Sequence, residues 1–258
     1  MSVSAGERAW LPTSGRRADA RCRLICLPHA GGGTAYYHRW SRYVPPEVEL
    51  LPVRLPAREA RLDRPPLADV DAVVANLRTV LAPLLDRPLA LLGTSMGALI
   101  AFELARCLEG EGQPLAQLVV AASPAPQCWS FDIREDELSD KELLDVVHQR
   151  YGGPAPEDIL SSDGAELLLR PLRADLRMIG RYRYRPGPSL GCPVLALMGS
   201  EDSTVAPADV SAWREQTSGR FAMRTVSGDH FFIASPTRSL VEAVVRPLLA
   251  TAGHGGRR

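Results

Sequence analysis

Residues 93–97 read Gly-Thr-Ser-Met-Gly, a serine set between two glycines, and no other stretch constrains the fold as strongly. The apolar run Leu89-Ala90-Leu91-Leu92 precedes it, and apolar positions at helical spacing follow over 98–108. A strand must therefore turn sharply into a helix at Ser95, holding the serine in strained backbone with its hydroxyl exposed. Glycines two positions before and after let the two chain segments pass without side-chain clashes. The pattern is a nucleophile elbow, and it implies an α/β fold.

The rest of the chain repeats that alternation. Apolar strand candidates lie at 23–27, 49–53, 89–92, 118–122, 194–198 and 221–226. Helical patterns fall between and after them, at 68–85 through Val70, Val73, Val74, Leu77, Val80 and Leu81, and at 235–249 through Leu240, Val241, Val244, Val245 and Leu248. This order predicts a mostly parallel central sheet flanked by helices, with right-handed crossovers. Residues 128–188 break the pattern, with helical segments at 140–148 and 171–182 and no strand, and read as an inserted helical lid. Ligands of parallel sheets bind beyond the carboxyl ends of the strands, so an insertion after the strand near Ala122 would cover Ser95. One domain is expected over 21–250, between mobile segments at 1–20 and 251–258.

Composition narrows the partners. Lys+Arg and Asp+Glu both number 30, and no basic tract is long enough to form a binding arm, so nucleic acid is not expected. No apolar run approaches the ~18 residues of a membrane span, and a soluble protein is expected. The five cysteines form no C-x-x-C pair and follow no secretory leader, which fits a reducing cytoplasm. Cys22 and Cys26 share one face of a strand with no His or carboxylate to complete a ligand set, so they read as buried hydrophobes and no metal is expected.

A serine hydroxyl is a weak nucleophile until a base takes its proton, and the base must be oriented by an acid. His230, in the Gly228-Asp229-His230 loop after the strand at 221–226, is the candidate base. Asp202, just after the strand at 194–198, is the candidate acid, which yields the order Ser, acid, His. Glu201 is a local rival, and Asp229 is so close to the base that it cannot easily turn back to Nδ1. Two fixed donors are needed for the tetrahedral oxyanion. The backbone N–H of Met96, after the nucleophile, is the first, and that of Ala30, in the loop Pro28-His29-Ala30-Gly31-Gly32-Gly33, is the second. His29, Gly31 and Phe231 are candidate substrate-binding residues, with His29 open to the alternative of buttressing the loop.

With these residues assembled, the chain resembles the type II thioesterases, free-standing α/β-hydrolases that serve polyketide and nonribosomal peptide synthases. The likeness runs from about Cys22 to Leu249. It includes Leu27-Pro28-His29-Ala30-Gly31-Gly32, Leu55-Pro56-Ala57-Arg58-Glu59, the elbow, Tyr151-Gly152-Gly153, Pro171-Leu172-Arg173-Ala174-Asp175, 199–202 and Gly228-Asp229-His230-Phe231-Phe232. The resemblance implies an acyl thioester carried on the phosphopantetheine arm of an acyl or peptidyl carrier protein, no cofactor of the enzyme's own, and an editing role that clears stalled or misloaded acyl groups. Two positions depart from the family. Thr94 stands where a histidine is common, and Ala57 where a glycine is common, which suggests that a positive φ is not needed there.

Other readings of the same residues are a general esterase, a thioesterase releasing a fatty acid or finished product, an acyltransferase, and a non-catalytic carrier-binding scaffold. Intact Ser95, Asp202 and His230 argue against the scaffold. Arg170, Arg173, Arg177 and Arg181 recur at helical spacing in the lid and could meet an acidic carrier, or form a solvated face with pairs such as Glu166 to Arg170. The sequence is compatible with a monomer and leaves the oligomeric state open.

Overall fold

The computed structural model describes residues 5–12, 17–67 and 69–254. Six strands, β1 (Cys22–Leu27), β2 (Val48–Pro52), β3 (Leu89–Thr94), β4 (Gln117–Ala121), β5 (Val194–Gly199) and β6 (Phe221–Val226), form one parallel sheet in the order β2-β1-β3-β4-β5-β6. Every residue of β1, β3, β4 and β5 is buried, as befits strands covered on both faces.

Side chains alternate between two cores. From β1, Ile25 and Leu27 face one layer with Leu91, Val120 and Ala196, while Leu24 and Cys26 face the other with Leu92, Val119 and Leu197. The first layer is built by α2 (Val70–Leu81) and α3 (Met96–Gly110), the second by α8 (Arg238–His254) and the short 3-10 helix Thr34–Arg42. Helix α2 starts later than its periodicity suggests because Asp69 caps it, accepting a 2.7 Å hydrogen bond from the Ala72 N–H. Helix α8 begins after Pro236 and runs to His254, five residues beyond the apolar pattern's end at 249.

The expectation of an unstructured N-terminal segment needs correction over residues 5–12. Ala5–Trp10 is helical (α1), and Trp10 and Leu11 are buried in the first core. The Trp10 carbonyl accepts the Arg54 N–H at 2.7 Å, and the Arg61 guanidinium lies 4.1 Å from the Trp10 ring centroid. Two apolar residues in a polar stretch have no period to read. The remainder of that segment, at 1–4 and 13–16, and residues 255–258 of the C-terminal tail lie outside the described residues.

Between β4 and β5 the chain forms α4 (Asp140–Tyr151), α5 (Pro156–Leu160) and α6 (Ala165–Arg181), with no sheet strand among the described residues. Ser139 and Glu142 form a capping box at the start of α4. Helix α6 buries Leu169, Leu172, Leu176 and Ile179 along one face. Helix α7 (Pro207–Ser211) follows β5.

Chain order sets the site. From β1 the chain steps to β2 on one side and returns to β3 on the other, so the carboxyl ends of β1 and β3 flank the point where strand order reverses. That crevice is where parallel sheets bind ligands.

Candidate active site

Ser95 stands between the last residue of β3 and the first of α3 with φ 52° and ψ −117°, outside the regions an L-residue ordinarily occupies. Its N–H is held by the Ala121 carbonyl at 2.8 Å. The two glycines of the elbow are required by contact: a Cβ on Gly93 would lie 2.2 Å from the Gly97 carbonyl oxygen, and one on Gly97 would lie 2.2 Å from that of Leu27. Met96 opens α3, where a first-turn N–H has no acceptor within its own helix. Thr94 is fully buried, with Oγ1 3.0 Å from the Tyr37 hydroxyl, which donates to the Leu27 carbonyl at 2.7 Å. The elbow and the end of β1 are thereby tied.

His230 and Asp202 meet. Nδ1 of His230 lies 2.8 Å from Oδ2 of Asp202, and both residues are buried. The geometry assigns the proton to Nδ1, directed at the carboxylate, so that Nε2 is the acceptor. Glu201 is exposed, and Asp229 turns back to accept the Phe231 N–H at 2.8 Å. Thr204, which the sequence reading missed, donates its hydroxyl to Asp202 Oδ1 at 2.6 Å and its N–H to the same oxygen at 3.0 Å. The Asp-Ser-Thr run that closes this Asx turn is a local signal that could have found it. Burial raises the Asp202 carboxyl, but the His230 hydrogen bond and charge together with the Thr204 bonds outweigh it and hold the group below its ordinary pKa.

The loop after β1 turns at Gly31, with φ 74°, and is closed by the Gly32 N–H bonding the His29 carbonyl at 3.0 Å. Among the described residues the Ala30 N–H meets no acceptor. The His29 ring packs edge-on against Tyr36 and Phe231, with centroids 4.4 and 5.1 Å away, and its buried Nδ1 has no hydrogen-bond partner among the described residues. Burial, then the neighbouring charges of His230 and Arg58, lowers its imidazole to about 3. Phe231 also meets the His230 ring, centroids 5.4 Å apart.

The lid lies on this edge of the sheet. Tyr151, at the end of α4, packs its ring 4.8 Å from that of His230, and Leu172 of α6 comes within 3.3 Å of where a Gly31 Cβ would be. Three arginines of the stripe are engaged with their own chain, and Arg181 is exposed. Arg173 binds Asp140 at 2.7 Å, Arg177 binds Glu135 at 2.8 Å, and Arg170 donates to the Leu62 carbonyl at 3.3 Å, which is not the Glu166 pairing expected.

Ala57 overturns the expectation of an ordinary φ at its position. Its φ is 66°, and that of Glu59 is 51°, a cost of roughly 1–2 kcal/mol each for residues with a Cβ. Surrounding contacts impose it: the Ala57 N–H bonds the Arg61 carbonyl at 3.0 Å, Arg58 is buried, and Glu59 accepts the Thr34 N–H at 2.6 Å and the Arg54 Nε–H at 2.9 Å.

All five cysteines are free, and no group of His, Cys, Asp or Glu among the described residues could hold a metal ion. Among those residues no helix is long and apolar enough to cross a membrane.

A parallel sheet with a strained serine elbow at its crevice and a buried His–Asp pair on the same edge defines an α/β-hydrolase. Comparison with known proteins specifies it further: residues 22–250 match the thioesterase domain family, and the chain belongs to that family, whose members hydrolyse thioesters. It is 34% identical over 251 residues to the gramicidin S biosynthesis protein GrsT of Aneurinibacillus migulanus, covering 96% of this chain and 97% of that one. It also matches the AMB antimetabolite synthetase AmbE of Pseudomonas aeruginosa, 37% identical over 98% of this chain but spanning only 12% of that protein. Among solved structures, the type II thioesterase BorB from the borrelidin biosynthetic cluster superposes with a TM-score of 0.82 at 35% identity, covering 93% of this chain and 97% of the other.

Proposed function

We propose that the chain is an editing type II thioesterase that hydrolyses stalled or misloaded acyl groups from the phosphopantetheine arm of polyketide or nonribosomal peptide carrier domains. The observation that carries this reading is the 2.8 Å His230–Asp202 pair, which leaves Nε2 as an acceptor on the sheet edge where Ser95 stands. Likeness to GrsT and BorB supports the pathway class.

Ser95 Oγ attacks the thioester carbonyl as His230 Nε2 takes its proton, and Asp202 stabilises the resulting imidazolium. The oxyanion is received by the Met96 and Ala30 N–H groups. Collapse breaks the C–S bond, and the pantetheine thiol leaves with the proton from His230. Water then attacks the acyl-enzyme, giving its proton to the same base, and the free acid departs from regenerated Ser95. The arm belongs to the carrier, so the enzyme needs no cofactor, and one chain supplies every group named. Free cysteines agree with a cytoplasmic setting.

The test is acyl release from a set of acyl-loaded carrier proteins by wild type and Ser95→Ala, with a simple oxygen ester as control. Ser95-dependent clearing of short acyl thioesters faster than the ester is expected. Hydrolysis of the ester alone would mark a general esterase, and equal release by Ser95→Ala would remove the assignment.

A further inference from the structure

Asp175 interrupts the apolar face of α6, lying between Leu172 and Leu176 and only 4% exposed. A carboxylate withdrawn from water in this way is tolerated only when its oxygens are fully engaged. Here they are. Oδ1 and Oδ2 each receive a 2.8 Å bond from the Arg58 guanidinium, in the two-pronged geometry that arginine makes with carboxylates, and Oδ2 also accepts the Gly31 N–H at 2.8 Å. Arg58 completes the circuit by donating from Nη1 to the Gly32 carbonyl at 2.7 Å and from Nε to the Pro56 carbonyl at 3.2 Å.

The consequence falls on the loop after β1. Its Gly31 N–H is taken by a lid residue, and its Gly32 carbonyl by an arginine whose charge the same lid residue balances. Together with the Gly32 N–H to His29 carbonyl bond, these contacts fix both sides of the turn that contains Ala30. On the lid side, Leu172 rests directly on Gly31. Glu59 secures the far end of the loop through Thr34, so the stretch 57–59, with positive φ at Ala57 and Glu59, presents both Arg58 and Glu59 to the loop. Without α6 in place, the Arg58 guanidinium would lose its counter-charge and Gly31 its acceptor.

We infer that Asp175, acting through Arg58 and Gly31, is a positioning residue that organises the Ala30 oxyanion donor only while the lid helix is seated, so that lid closure and catalytic competence are one event. Neither side chain is assigned contact with the acyl group. The inference rests on Ala30 and Ser95 having the roles proposed above.

The experiment compares wild type, Asp175→Asn and Arg58→Lys on an acyl thioester of N-acetylcysteamine, whose small leaving group needs no protein docking. Asp175→Asn keeps the shape but removes the charge. Arg58→Lys keeps the charge but removes the two-pronged fit, so it remains informative if the asparagine variant folds poorly. With the folded fraction set by thermal melts, kcat is expected to fall on the order of 100-fold in Asp175→Asn and less in Arg58→Lys, with KM within about threefold. Affinity for a trifluoromethyl ketone, which forms a tetrahedral adduct with the serine, should fall in step with kcat/KM, whereas affinity for the product acid should not. A purely structural pair would lower the melting temperature and leave kcat per folded molecule and ketone affinity unchanged, and that result overturns the inference. Ser95→Ala run alongside separates the two levels: Ser95-dependent release with unaltered Asp175→Asn rejects only the lid coupling, and Ser95-independent release rejects the catalytic reading itself.

Discussion

Thr204 Oγ donates a 2.6 Å hydrogen bond to Oδ1 of Asp202, the oxygen that Asp202 does not direct at His230. The carboxylate is thus held from both sides, by a turn on its own chain and by the His230 imidazole. Thr204→Val removes the hydroxyl donor and keeps the shape. A hydrogen bond to a charged group contributes about 1.5–3 kcal/mol, so kcat should fall about 10- to 100-fold. Thr204→Ser should stay near wild type. Steady-state kinetics on an acyl thioester decide it, and equal kcat for Val and Ser would show that the bond is immaterial.

The elbow glycines leave no room for substitution. Gly97→Ala would place a methyl group 2.2 Å from the Leu27 carbonyl oxygen, a backbone atom that cannot rotate away. Forcing β1 and α3 apart should cost about 3 kcal/mol or more and remove acyl transfer to Ser95. Urea melts and labelling by a fluorophosphonate measure the two effects. A variant of wild-type stability and reactivity would contradict the packing.

Acid should destabilise the fold in a window set first by His29. Its imidazole is lowered from 6.5 to about 3, so below pH 6.5 the unfolded chain takes up a proton that the folded protein refuses. The His29 contribution to stability is therefore complete above about pH 6.5 and falls as pH drops toward 3. The Asp202 carboxyl, lowered from 3.8, adds stability that is present above that value and lost as pH falls through its folded value. His29→Phe removes the first contribution, together with a buried unpaired Nδ1. Urea midpoints at pH 4.5 and 7.5 should differ less in His29→Phe than in wild type, and an unchanged difference would count against this account.

At the opposite edge of the sheet, Arg23 of β1 faces Glu49 of β2 in register, with Nε and Oε2 2.8 Å apart and both side chains buried. Arg23 also binds the Asp86 carboxylate and the Leu84 carbonyl, so losing Glu49 removes one of its two counter-charges and the buried charged hydrogen bond, at a cost of about 1.5–3 kcal/mol. Glu49→Ala should lower stability by that order and leave kcat unchanged at a temperature where the variant is folded, since both residues lie at the amino ends of their strands. A large fall in kcat per folded molecule would show that the two edges communicate.

How much of this was legible varies with the range of the interaction. Strands and helices were readable from local apolar periodicity, as with Leu24 and Ile25 facing opposite cores, and the elbow from five consecutive residues. Helix boundaries shifted where a cap or a proline intervened, at Asp69 and Pro236. The Asp-Ser-Thr turn was legible in principle, because its bond closes over two residues.

Local sequence specifies the parallel α/β plan, the strand-to-helix turn at Ser95 and the candidate groups after β3, β5 and β6, because periodicity and turn chemistry act between near neighbours. The tertiary structure alone decided which carboxylate faces His230, with Glu201 left exposed and Asp229 turned onto Phe231. It also decided that Ala57 takes a positive φ, that Trp10 and Leu11 are core, and that Arg58 finds Asp175 across 117 residues of chain. These outcomes depend on where whole elements pack, and no local pattern encodes the distance between a loop after β2 and a helix of the lid.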